Sequence, residues 1–252
     1  MTRAGGEAKA PGTGVGLFVT THWSVVLAAG QQESPQATEA LENLCRTYWY
    51  PLYVYVRRRG YGPEDAADLT QDFFAHLLKK NAFAGADPQR GKFRSFLVAS
   101  LDHFLINQWN RARTAKHGGG QAPIPLDADA AERRHRQEPD SSLTPEKLFE
   151  QQWGFAVLEQ ALARLGKEFA EAGKSGQFNR LKVFLTSKVD YGQYPAVAAE
   201  LGLSTAAISR AVHRMRQRYR ELVRAEIAHT VSSPDELEEE MRHLFAAIRG
   251  EG

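Results

Sequence analysis

The sequence predicts an all-α fold of two helical domains joined by a flexible linker. Apolar residues recur at three- and four-residue spacing nearly everywhere, and two-residue alternation is almost absent. One Gly-, Pro- and charge-rich stretch, "HGGGQAPIPLDADAAERRHRQEPDSSLTP", separates two helical blocks. With few large apolar residues, it buries too little surface to offset its chain entropy. At 252 residues and 42% hydrophobic content, the chain suffices for one large or two small domains.

The order is a disordered start over 1–16, a helical unit over 17–116, a linker over 117–145, a second helical unit over 146–231 and a tail over 232–252. The opening "MTRAGGEAKAPGTGVG" lacks the apolar run of a signal peptide, and no segment reaches the roughly 20 apolar residues that span a bilayer. The single cysteine, Cys45, excludes an intrachain disulfide and a cysteine-based zinc site. It shares a helical stripe with Leu41, Leu44 and Tyr48, as a small core residue would. A reducing, cytoplasmic setting without membrane insertion fits these features. The formal net charge of +2 excludes binding nucleic acid by bulk charge, so the distribution of charge has to carry any such role.

In the first unit, "GPEDAADLTQDFFAHLL" places Leu69, Phe73 and Leu77 on an apolar stripe and Asp65, Asp68 and Asp72 on an adjoining polar one, with Gln71 close by. Three carboxylates on one face suit a divalent metal site, an acidic docking surface for a basic helix, or a solvated face. A metal site of that kind normally draws on a second acidic helix. The following segment supplies only Asp87 and Asp102.

That segment, "GADPQRGKFRSFLVASLDHFLINQWNRARTAK", has a loop ending in Arg90, Gly91 and Lys92 and then a long helix. The helix buries Phe93, Phe96, Leu97, Leu101, Phe104 and Leu105, while Arg94, Asn107, Gln108, Asn110, Arg111 and Arg113 lie off that stripe. Trp109 continues the apolar register as a core residue; the alternative is an exposed platform for an unstacked base. A basic loop beside a polar helix face suits single-stranded nucleic acid.

The second unit contains "YPAVAAELGLSTAAISRAVHRMRQRYREL", which reads as a helix-turn-helix over 194–216. Pro195 suits the first turn of a short helix, Gly202 a positive-φ stop, and Ser204 the next N-cap, with Leu203 stapled onto Ile208. Ile208, Ala211, Val212, Met215 and Tyr219 form the buried stripe. The outer face carries Thr205, Ser209, Arg210, His213, Arg214 and Arg216, with Arg218, Arg220 and Arg224 beyond. Six arginines against two glutamates lie between Ser204 and Glu226. Hydroxyls and arginines at a helix start suit base edges in a major groove, and later arginines suit phosphates. A solvated basic face is the plain alternative.

In the tail, Ser233, Pro234 and Glu236 make a capped helix start, and Leu237, Met241, Leu244, Phe245 and Ile248 an apolar stripe. Six acids against two arginines from Ser232 to Gly252 oppose the charge of the basic helix. Such a tail either packs as a small helix with a solvated acidic face or folds back on the second unit and tempers its DNA binding.

In order and spacing, "YWYPLYVYVRRRGYGPEDAADLTQDFFAHLL", "DPQRGKFRSFLVASLDHFLINQWNRAR" and "YPAVAAELGLSTAAISRAVHRMR" resemble the extracytoplasmic-function (ECF) branch of bacterial RNA polymerase sigma factors. The resemblance runs from about "THWSVVL" to Thr230. It implies that 17–116 is sigma region two and 146–231 sigma region four. Asp65, Asp68, Gln71 and Asp72 would dock on the clamp coiled coil of the largest subunit of core RNA polymerase. The loop from Ala84 to Lys92 would capture a flipped base of the promoter DNA. Arg90, Lys92, Arg94, Asn107, Gln108, Arg111 and Arg113 would hold the melted minus-ten strand. Ser204, Thr205, Ser209, Arg210, His213, Arg214 and Arg216 would read the minus-thirty-five duplex. Such a factor performs no catalysis and takes no cofactor or metal; an anti-sigma protein is a further partner the family allows. The long connector and the C-terminal extension depart from the pattern. Two competitors are a free-standing helix-turn-helix repressor or activator and a magnesium-dependent enzyme using the acid helix.

Overall fold

The computed structural model describes residues 35–79, 92–114, 128–137, 142–186, 191–228, 230–231 and 233–250. The expected disordered start, the loop carrying Arg90 and about half of the Gly-rich connector lie outside them. Among the described residues there are ten α-helices, one 3₁₀ turn and no strand, as the helical periodicity predicts. No helix among them is long and apolar enough to cross a membrane.

Helix α1 (Pro35–Arg58) is the centre of the first half. Leu52, Tyr53, Val54, Tyr55 and Val56 are consecutive and all fully buried, so this helix is covered on every side. Its covers are α2 (Pro63–Lys79), α4 (Ala128–Gln137) and the long α5 (Pro145–Glu171). Helix α3 (Phe93–Thr114) is seated through aromatic contacts. Phe93 meets Tyr48 edge-on at 5.4 Å, and Phe104 lies 5.7 Å from Phe73.

The connector expected over 117–145 differs from a plain flexible linker. Its residues 128–137 form α4, with Ala131 buried. Glu132 there accepts from the Tyr53 hydroxyl at 2.5 Å and pairs with Arg57 at 3.2 Å. Arg134 stacks over the Tyr50 ring at 4.3 Å. The segment has few apolar residues of its own, and its folding draws on the aromatic, basic end of α1 instead.

Helix α5 joins the two halves. Thr144 caps it by accepting from the Lys147 backbone N–H at 3.3 Å, and Pro145 opens the first turn. One side packs along α1. The other carries α9 (Thr205–Ala228) and α10 (Pro234–Arg249). Short helices α6 (Ser175–Leu181), α7 (Val183–Thr186) and α8 (Tyr194–Leu201) complete the second half. The buried apolar residues of both halves form one contiguous cluster, and Cys45 belongs to it.

Gly154, buried within α5, lets α10 approach: a Cβ there would lie 3.0 Å from Ile248 Cγ1. Ser233 caps α10 by accepting from the Glu236 N–H at 3.2 Å. Of the expected apolar stripe of α10, Leu237 and Leu244 are buried and Met241 and Ile248 are partly buried, whereas Phe245 is 44% exposed.

Candidate nucleic-acid interface

The helix-turn-helix forms from its local signals. Pro195 stands in the first turn of α8, and Gly202 closes that helix at φ +63° in the left-handed region that favours glycine. The Leu203 N–H then returns to the Ala198 carbonyl at 2.9 Å. Ser204 Oγ accepts from the Ala207 N–H at 3.2 Å, starting α9. Ile208, Ala211, Val212 and Met215 are buried, and the Tyr219 hydroxyl donates to the Leu158 carbonyl at 3.0 Å. The expected staple differs: Ile208 is buried, but Leu203 stays 42% exposed.

Burial of that stripe leaves Ser204, Thr205, Ser209, Arg210, His213 and Arg214 exposed on the outer side of the first half of α9. Arginines further along are engaged within the chain. Arg216 donates through Nε to the Phe184 carbonyl at 2.9 Å, so it holds α7 rather than facing outward with the others. Arg218 pairs with Glu168 at 2.7 Å and Glu221 at 2.9 Å, and Arg224 with Glu238 at 2.5 Å. The hydrogen bond from Arg218 holds the Glu168 carboxyl below the usual carboxylate range. The cations of α9 thus divide into an exposed group at its start and residues engaged within the chain along the remainder, Arg216 on a carbonyl and Arg218 and Arg224 on carboxylates, with Arg220 exposed between them.

On α2, Asp65, Asp68 and Asp72 are exposed along one side and Gln71 is half-buried, while Phe73 and Leu77 face the core. Among the described residues, no group of three or more His, Cys, Asp or Glu is arranged to hold a metal ion.

On α3, the residues singled out for a single strand fall into three settings. Asn107 is exposed and Gln108 half-buried; Arg111 and Arg113 stand on the last turn of the helix, their side chains outside the described residues. Trp109 is 56% exposed and Ile106 57%, which overturns the core role expected for Trp109. The apolar register continues past Leu105, but its last turns stay half exposed. Both residues line a shallow groove of about 340 Å³ with Arg59, Tyr61, Asp102 and Leu105. Its floor is braced by the Tyr55 hydroxyl, which donates to Asp102 at 3.0 Å and which burial pushes up to about 12, keeping it a donor.

The third setting was not legible in the sequence. Arg94 is buried and forms an ion pair with Glu240 of α10, beneath the Trp153 ring at 5.0 Å. Lys92 contacts Glu239 at 3.0 Å and Glu240 at 2.8 Å. Burial lowers the affinity of the Lys92 amine for its proton, but hydrogen bonds to Glu240 and Glu239 outweigh this and raise its pKa. Behind them Glu150 pairs with His243 at 3.2 Å. Two cations assigned to a DNA strand are therefore held by the acidic tail helix. The opposite charge runs suggested a tail folded back on the second unit; Glu238 does meet Arg224 there, but Glu239 and Glu240 go to Lys92 and Arg94 of the first.

Comparison with protein-family models, with curated proteins and with solved structures finds no match to this chain.

Proposed function

We propose that this protein is an alternative sigma factor of the ECF type, which recruits core RNA polymerase to particular promoters and assists their melting. The observation that carries the reading is the first half of α9. A capped, rigid helix start presents Thr205, Ser209, Arg210, His213 and Arg214 together to the outside. Side chains of these types suit base edges and flanking phosphates of a duplex. The exposed carboxylates of α2 suit a basic partner helix, which is the role the sigma resemblance gives them. A free-standing repressor or activator is the second reading, favoured by the burial of Arg94, which leaves the helix-turn-helix as the freer basic face.

The two readings separate on dependence on polymerase. Purified chain is incubated with its cognate core enzyme and captured, comparing wild type with Asp68→Ala/Asp72→Ala. A sigma factor is retained, and the double substitution weakens retention about tenfold or more. Folded protein that core never retains, yet which binds an operator duplex by itself, selects the regulator.

A further inference from the structure

We propose that helix α10 is a built-in competitor for nucleic-acid backbone: Glu239 and Glu240 occupy the Lys92–Arg94 cation pair, and a single strand gains that pair only when the helix lifts away. The inference rests on the reading of α3 as a strand-binding element.

The geometry supports occupancy rather than incidental packing. Successive residues of a helix are turned by about 100°. The run Glu238–Glu239–Glu240 therefore points in different directions, and each side chain finds a cation. Glu238 takes Arg224 of α9 at 2.5 Å, Glu239 takes Lys92 at 3.0 Å, and Glu240 takes both Lys92, at 2.8 Å, and Arg94. One acidic helix is thus wedged between cations of the two elements that the sequence marks for nucleic acid. Arg94 and Glu240 side chains are only 5% and 4% exposed, so no phosphate reaches Arg94 while α10 is seated. Carboxylates stand there in the place of phosphate oxygens, since an arginine fork donates to either.

The seat is also suited to release. Among the described residues of α10, Leu237, Leu244 and Ala247 are the buried apolar anchors, whereas Phe245 is 44% exposed. Met241 and Ile248 are only partly buried, and the exposed Glu238–Arg224 and Glu239–Lys92 pairs weaken with salt. A short connection after α9 keeps the helix at high effective concentration, so it returns whenever no strand competes.

The test uses the full chain and a fluorescein-labelled single-stranded 12-mer of DNA. Anisotropy measures its affinity for wild type and for Glu239→Gln/Glu240→Gln at several salt concentrations. The double substitution should bind about tenfold or more tightly. Its slope of log affinity against log salt should steepen by about 1.4, or roughly 0.7 for each phosphate newly neutralised. Adding Arg94→Gln should reverse about half of that steepening. Because losing Glu240 risks the fold, wild type is followed in parallel by hydrogen exchange. Saturating 12-mer should raise exchange across Leu237–Ile248 while α1 remains protected. Continued protection of α10 at saturation, an unchanged affinity in a folded double variant, or a steepening that persists in full after Arg94→Gln each overturns the proposal. Core capture reports separately. A chain that core does not retain, but in which strand and tail still exchange, loses the sigma reading and keeps the competition.

Discussion

Arg94 shows how a residue type can be read correctly as a cation and still be misplaced. Its position off the apolar stripe of α3 suggested an outward phosphate contact, yet α10 covers it and supplies Glu240. A buried pair of this kind adds little net stability when intact, because desolvation offsets the attraction, but breaking it leaves the buried Glu240 with Lys92 as its one remaining cation among the described residues. Arg94→Gln is therefore expected to destabilise the protein, by less than the ~3–5 kcal/mol of a wholly uncompensated buried charge because Lys92 stays on Glu240, and Arg94→Met/Glu240→Leu by less again. Urea denaturation of the two variants measures this, and equal losses would mean that the pair is not coupled.

At the scale of the element, the docking of α10 on α5 and α3 depends on carboxylates. The close approach of His243 at 3.2 Å, above all, holds Glu150 below its ordinary value of 4.5, with Arg94 acting in the same direction. Hydrogen bonds from Lys92 and Arg224 do the same for Glu239 and Glu238. A group with a depressed pKa in the folded state contributes stability above its unfolded value, and that contribution is lost as pH falls through the folded one. Acidification below the ordinary carboxylate value of 4.5, by this linkage, loosens α10 before α1, whose seat holds the Glu132 contacts but is mainly apolar. Protection factors from hydrogen exchange, corrected for intrinsic rates, should fall first across Leu237–Ile248. Glu150→Gln should flatten that response.

For the whole molecule, the packing of α5 on both α1 and α9 decides the cooperativity. Two domains on a loose tether would unfold in two steps, whereas one contiguous apolar cluster couples them. Thermal unfolding followed by far-ultraviolet circular dichroism and by tryptophan fluorescence, with Trp49 and Trp153 buried in the two halves, should give coincident single transitions. Separate midpoints would mean that α5 does not transmit between the halves.

Local chemistry was readable in the chain. The helical class, the Gly202 stop, the Ser204 and Ser233 caps, the buried stripe of α9 and the exposed acid side of α2 all depend on neighbours within about one helical turn. Periodicity and capping report such neighbours directly. What the sequence by itself determined was therefore each helix and the side it hides. The tertiary structure decided which exposed sides meet. Residues 128–137 fold because Tyr53 and Arg57 lie opposite, Trp109 stays more than half exposed on a groove it shares with Arg59 and Tyr61, and the tail's glutamates reach Lys92 and Arg94 some 146 residues away. Charge acts without direction along the chain, so opposite runs announce that a partner exists; only packing, here through Gly154 and the close approach of Ile248, selects which one.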